Sequence, residues 1–330
     1  MGHSIYFILF AIGLIMIIKG SDLFLDSTVW VAGVFNIPHI IIGATIVSMC
    51  TCLPETFVSV SAAIKGETDV AIGNAIGSIA FNTGIIMAIL ILFGKPRVKN
   101  PGQFKISSFW LIASIIFVWV VGFIQGELNR IIGIILLVFL IIYLIQNIAS
   151  SQTSNCNQTK GRYDTSLRTV IKKTILFIIG ITLVIWGSNL LVDNGIKIAM
   201  ILKVPSIMIA VTFTAFGTSL PEFFTTITSI RKGVSNIGFG NIIGANTLNI
   251  FQVTALSAVF KPLPFSHDPI ILLFQIPMTL LIVIFAIMAG NKYRRSIPRR
   301  YGLLLLFSYT IFVVVNVLRD STPIIGKLLF

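Results

Sequence analysis

Apolar runs of roughly 20 residues, each long enough to cross a hydrocarbon core of about 30 Å, follow one another along the whole 330-residue chain. Short pockets of Gly, Pro and charge are all that separate them. Of the residues, 56% are hydrophobic and 11% charged, which is more apolar surface than a soluble domain can hide. Ten spans are expected, at 4–26, 38–64, 71–93, 106–125, 130–148, 173–196, 205–230, 237–259, 269–289 and 301–318. The first is preceded by His3 instead of a basic stretch, carries Lys19 and lacks a clear cleavage site, so it reads as a span and not as a removable signal peptide. The expected fold class is an all-α polytopic membrane protein.

A formal net charge of +13 would suit nucleic acid if it formed one basic tract with interleaved aromatics. Its distribution points to the membrane instead, and no nucleic-acid partner is expected. The connections after the odd-numbered spans hold 16 Lys and Arg residues, among them Lys95, Lys160, Lys232 and Arg300; the other side holds 7, including Lys65, Lys197 and Lys261. The positive-inside rule makes the richer side cytoplasmic. Both termini then lie outside, in a multi-pass plasma-membrane protein expected to work as a monomer in the lipid bilayer. The cytoplasmic connection 149–172, rich in Ser, Thr, Asn, Gln and basic residues, is the one linker and divides the chain into 1–148 and 173–330. Cys156 falls in that linker, as does the sequon Asn157-Gln158-Thr159, an accidental match on the cytoplasmic side. Cys50 and Cys52 lie inside a span; they resemble a soft-metal pair, yet small packing residues in a helix are commoner, and no disulfide framework is implied.

The two parts repeat each other. The offset that carries Glu55 onto Glu222 also carries Pro38 onto Pro205, Thr45 onto Thr212, Thr51 onto Thr218 and Leu53-Pro54 onto Leu220-Pro221. It carries Lys65-Gly66 onto Lys232-Gly233, Gly73-Asn74 onto Gly240-Asn241, Ile76-Gly77 onto Ile243-Gly244 and Asn82 onto Asn249, without a gap. Chance likeness between apolar helices would match Leu, Ile and Val, not Pro, Glu, Asn and Gly. Five spans per repeat is an odd number, so the second half enters the membrane in the opposite direction. That is the inverted-repeat plan of secondary transporters, with binding at the midplane where broken helices meet.

The broken segments are Cys50-Thr51-Cys52-Leu53-Pro54-Glu55 and Gly217-Thr218-Ser219-Leu220-Pro221-Glu222. Proline removes a backbone donor and disturbs the preceding turn, so Thr51 and Thr218 can offer carbonyl oxygens beside a carboxylate. Asn74, Ser78 and Asn82 recur every fourth residue and share one helix face. Asn241, Ala245 and Asn249 form the matching face, with Gly73, Gly77, Gly240 and Gly244 expected to let the broken helices come close. Of eleven acidic residues only Glu55 and Glu222 fall in mid-span; a charge there costs roughly 2.5–3.5 kcal/mol on insertion scales and is seldom kept without a role. A single buried Pro-Glu can be a kink with a protonated carboxyl, but two matched copies argue for a shared site. Oxygen donors without a nitrogen or sulfur cluster suit a hard cation such as calcium or sodium. Asp22, Asp26, Asp193, His3, His39 and His267 fall near span ends and read as interfacial.

At these residues the repeats resemble the alpha-repeats of the sodium/calcium exchanger family, within the calcium/cation antiporter superfamily. Gly217-Thr218-Ser219-Leu220-Pro221-Glu222 and Gly73-Asn74-Ala75-Ile76-Gly77-Ser78 carry the likeness. The resemblance implies ten helices in two inverted five-helix repeats, alternating access, and exchange of calcium for sodium without a cofactor. It implies that Glu55 and Glu222 bind calcium, helped by the Thr51 and Thr218 carbonyls. Ser48, Ser78, Asn82, Ala215, Ser219 and Asn249 then line flanking sodium sites. Two departures stand out: Cys50-Thr51-Cys52 replaces Gly-Thr-Ser, and Ala245 stands where a serine would match Ser78. Asn249 is an amide where potassium-dependent relatives carry an acid, which argues against potassium co-transport. A proton-coupled calcium or manganese exchanger is the alternative. No Gly-x-Gly-Asp or His-Glu-x-x-His motif supports an intramembrane hydrolase, and inverted repeats in one chain favour a carrier over a channel.

Overall fold

The computed structural model describes residues 4–35, 39–98, 101–152, 164–201, 216–265, 270–293 and 296–321. The helices are α1 Ser4–Val34, α2 Gly43–Thr51, α3 Leu53–Lys65, α4 Thr68–Gly94, α5 Pro101–Gln125 and α6 Arg130–Gln152. After the linker come α7 Leu167–Ile201, α8 Leu220–Arg231, α9 Ser235–Phe260, α10 Ile271–Lys292 and α11 Arg299–Ser321. Among the described residues eight helices are long and apolar enough to cross a membrane, and the α2–α3 pair, bent by 49°, makes a ninth if it is one span. The first half of the expected 205–230 span lies outside the described residues, as do Pro38, Pro205, Thr212 and Cys156.

Several helices outrun the apolar segments that announce them. α1 has 31 residues and α7 has 35. Residues 27–34 extend the first beyond the expected 4–26, and residues 167–172 and 197–201, with Arg168, Lys172 and Lys197, extend the second beyond 173–196. Charged side chains do not break a helix as Gly and Pro do. Asp164 prepares the start of α7: its carboxylate accepts the Ser166 backbone N–H at 2.9 Å and the Ser166 hydroxyl at 3.0 Å. Bonds from the Thr169 hydroxyl and from Ser166 hold this carboxyl below its usual range.

The two helices that occupy the centre are the ones richest in small and amide residues. In α9, 89% of the most apolar stretch is buried and in α4, 72%, against 17–44% for the other long helices. Around them α5, α6, α10 and α11 form the main apolar core, with Phe104, Tyr143, Phe251 and Phe265 fully buried. A two-residue antiparallel pair, Glu127–Leu128 with Leu263–Pro264, ties the α5–α6 and α9–α10 connections together. On the other flank α1 and α7 cross on glycines. A Cβ at Gly20 would lie 2.7 Å from the Gly180 carbonyl oxygen, and one at Gly187 would lie 2.8 Å from that of Gly13. The repeat offset relates Gly13 to Gly180 and Gly20 to Gly187, so one crossing is made of matched residues.

Wide π turns interrupt several helices, at Gly43–Val47, Asn82–Ile86, Leu90–Gly94, Asn249–Thr254 and Ile271–Gln275. Two of them start at the repeat-matched Asn82 and Asn249. Lys232, in the turn between α8 and α9, reaches α1. Its ammonium is 2.7 Å from Asp26 Oδ1 and 3.7 Å from Asp22 Oδ1, and it donates to the Asp22 carbonyl at 2.9 Å. The interfacial aspartates are therefore part of an inter-helix tie.

Candidate cation-binding site

Proline sets the geometry. Pro54 and Pro221 stand in the first turn of α3 and α8, where a missing N–H costs nothing, while the ladder to the preceding segment is cut. The residues just before, Cys52 (φ −79°, ψ 4°) and Ser219 (φ −84°, ψ 6°), share one backbone conformation in the sparsely used bridge region. Each break starts a new helix with a glutamate in its first turn, where free N–H groups and the helix dipole favour an anion. Glu55 and Glu222 are both 0% exposed. Neither forms an ion pair with a Lys or Arg among the described residues.

Each half of the chain holds the other's carboxylate. Ser219 Oγ donates to Glu55 Oε1 at 3.2 Å, and the Cys52 thiol lies 3.5 Å from Glu222 Oε1. Thr218 Oγ1 donates to Asn74 Oδ1 at 3.1 Å, and Thr51 Oγ1 to Asn241 Oδ1 at 3.2 Å. Under the repeat offset these four contacts reduce to two, each made twice. The second oxygen of each glutamate has no hydrogen-bond partner, and neither do Ser78 Oγ or the side-chain amides of Asn82 and Asn249, all of them buried. Buried polar atoms without partners cost roughly 1–3 kcal/mol each and are rare outside sites that take a ligand or water.

The sequence-derived residues thus divide into groups. Glu55, Glu222, Thr51, Thr218 and Ser219 are joined directly by the cross-half contacts. Ser78, Asn82 and Asn249 are buried on α4 and α9 with unpaired polar atoms. Ser48 turns its hydroxyl to the Thr45 carbonyl at 3.0 Å and packs against α9, 2.6 Å from where a Cβ on Gly244 would lie. Ala215 lies outside the described residues.

Two expectations need correcting. Gly73 does not mediate a close approach: a Cβ there would meet nothing within 4 Å. The tight contact is made at Gly244, against Ala44 and Ser48 of the opposite half. Cys52 is not merely a packing residue, because it takes the place in the first half that Ser219 takes in the second and faces a carboxylate.

Other supports carried no motif. Ser59 accepts from Asn74 Nδ2 at 2.9 Å, Gln252 donates to Thr56 at 3.0 Å, and Asn246 donates to Thr83 at 2.7 Å. Tyr143, fully buried, donates to the Ala44 carbonyl at 3.1 Å. The signal available for Ser59 was its hydroxyl-bearing repeat mate Thr226; for the others it was only polarity inside an apolar span.

Among the described residues no three His, Cys, Asp or Glu side chains are placed to hold one metal ion together; the site is two carboxylates set among neutral oxygens and amides, with the Cys52 thiol beside Glu222. A multi-pass helical bundle with such a cluster at the junction of two broken helices belongs to the class of membrane transporters of small cations. The family can be stated as well. The model of the sodium/calcium exchanger protein family matches residues 5–149 and 172–318, and the chain belongs to that family of membrane antiporters. It is 32% identical over 304 residues to a membrane protein of Methanocaldococcus jannaschii, covering 92% of this chain and 95% of that one. It is 27% identical over 351 residues to the sodium/calcium exchanger MaX1 of Methanosarcina acetivorans, covering 94% and 98%. Its fold matches the solved sodium-calcium exchanger NCX_Mj with a TM-score of 0.81 at 29% identity, over 94% of this chain and 98% of that one.

Proposed function

We propose that this protein exchanges calcium for sodium across the plasma membrane, by alternating access at a midplane site built around Glu55 and Glu222. In this reading ten helices form two inverted five-helix repeats, 1–148 and 173–330, joined by the cytoplasmic linker 149–172, with both termini outside and the monomer as the working unit. One observation carries the site assignment. Two repeat-matched, fully buried glutamates each take a donor from the opposite half on one oxygen and leave the other oxygen unpaired. Two anions in a low-dielectric interior demand compensation, and no Lys or Arg among the described residues supplies it. One calcium ion or two sodium ions would.

Oxygen donors at a flexible junction of two helices suit calcium. Glu55 and Glu222 bind it, with the Thr51 and Thr218 carbonyls. Ser48, Ser78, Asn82, Ala215, Ser219 and Asn249 line the flanking sodium positions. Coupling follows from sharing. Sodium and calcium compete for the same carboxylates, so binding of one displaces the other, and the loaded protein reorients. Family membership and the likeness to MaX1 and NCX_Mj, both named as sodium/calcium exchangers, support the ion pair.

The test is labelled-calcium flux in proteoliposomes with sodium, potassium and proton gradients imposed one at a time. Calcium movement driven by sodium at fixed pH is expected; movement driven by protons alone would establish the proton-coupled alternative. For the topology, a cysteine placed at Lys160 should be labelled from the cytoplasmic side and one at Glu67 from the outside. Labelling of both from one side would rule out the inverted repeat.

A further inference from the structure

The Cys52 thiol has a geometry that calcium exchange does not call for. Its sulfur lies 3.5 Å from Glu222 Oε1 and 3.7 Å from the Ala245 carbonyl oxygen. Cys52 is fully buried, and Glu222 Oε2, on the same carboxylate, has no partner. A zinc ion takes a thiolate at about 2.3 Å and oxygens at about 2.0–2.2 Å. With those bond lengths, sulfur–oxygen separations of 3.5 and 3.7 Å correspond to angles at the metal of about 105° and 114°, both close to tetrahedral. Hard cations gain little from sulfur, whereas thiophilic cations prefer it. The other half has no counterpart, because its matched residue is Ser219.

We propose that Cys52, Glu222 and the Ala245 carbonyl form a site for a thiophilic divalent cation of the zinc class, which blocks the exchange pathway from within. On binding, the S–H bond breaks, the sulfur's electron pair forms the bond to the metal, and the proton leaves to water; the metal keeps its oxidation state. The donor set holds one thiolate, one carboxylate and one carbonyl, and the fourth position is open to Glu222 Oε2 or water. The blocking role rests on the calcium reading of Glu222, while the metal site itself does not.

Cobalt(II) is a suitable probe, because a cobalt–thiolate bond gives a charge-transfer absorption. In full-length protein carrying Cys50→Ser and Cys156→Ser, with Cys52 its remaining cysteine, one equivalent of cobalt should produce that band, and zinc should bleach it. Cys52→Ser and Cys52→Ala in the same background should both lack it, as monodisperse protein. In proteoliposomes, removing Cys52 should lower the ratio of zinc to calcium affinity by at least about tenfold, the lower end of what loss of a metal-supporting group costs. A missing band, a band that survives both substitutions, or an unchanged affinity ratio would overturn the proposal. If the native protein showed the band but no sodium-driven calcium flux, the calcium reading and the blocking role would fall and the metal site would stand.

Discussion

The two halves of the site are built on one plan and finished differently. Asn74 is fully engaged: it accepts from Thr218 and donates to Ser59. Its mate Asn241 accepts from Thr51, but its amide N–H group has no partner, and neither does the hydroxyl of Thr226, the mate of Ser59. Ser219 gives Glu55 an oxygen donor where Cys52 gives Glu222 a sulfur one. Ser78 faces no hydroxyl in the matched position, which Ala245 occupies. What the halves share is the placement of charge and the break in the helix. What they do not share is the neutral support.

The largest expected effect tests the shared part. Glu55→Gln and Glu222→Gln should each lower calcium exchange by at least on the order of a hundredfold, equivalent to about 3 kcal/mol, with the protein still folded. Desolvating a charge is unfavourable, so neither variant should be less stable than the native protein. Near-native flux in one of the two, at equal expression, would show that only one half carries the divalent ion.

A smaller difference is expected between the amides. Asn74→Ala strips two side-chain partners, Thr218 and Ser59, while Asn241→Ala strips Thr51 alone and removes a donor that is already unpaired. Thermal unfolding in detergent should find Asn74→Ala the more destabilised, by about 1 kcal/mol, the net worth of one buried hydrogen bond. Equal losses would mean that the asymmetry has no energetic weight.

The smallest effect concerns sodium. If Ser78 serves a sodium position, as proposed, it has no matching hydroxyl at Ala245, so sodium dependence in the native protein should be weak or of low cooperativity. Ala245→Ser should raise apparent sodium affinity by a few-fold, about 0.5–1 kcal/mol for one added neutral contact, and Ser78→Ala should lower it. Calcium affinity should change less in both. Sodium titration of calcium efflux at fixed pH is the measurement. Superimposable curves would remove this pair from the sodium pathway.

The apolar helices were legible because hydropathy and the length of a span are tightly linked: eight are long enough to cross a membrane, nine with the bent α2–α3 pair, among the described residues. The burial of Glu55 and Glu222 followed from their place in mid-span. The helix ends were not legible, since charged residues such as Arg168, Lys172 and Lys197 continue α7 past the apolar segment. Gly73 shows a second limit. A small residue in a motif says that a side chain is not required, but only packing says whether another helix comes near, and here it does so at Gly244. Cys52 shows a third: residue type suggested packing, whereas its matched position to Ser219 held the polar role. The supports Thr56–Gln252 and Thr83–Asn246 join residues far apart in sequence, and no local pattern announces such pairs.

The π turns at Asn82–Ile86 and Asn249–Thr254 stand at matched places in two halves that have diverged in composition and not in spacing. A π turn closes its ring with one residue more than an α turn, so each is an insertion of one residue held permanently in the helix. Because the wide turn absorbs that residue, the helix on either side keeps its facing. Deleting a residue from a regular stretch would instead rotate everything beyond it by about 100°, one residue's share of a 3.6-residue turn. Substitutions at Ser78 or Cys52 change one contact, but a change of length changes the facing of a whole helix end. The gapless offset between the two halves is what mutation leaves behind when replacements are tolerated and changes of length in the regular stretches are not.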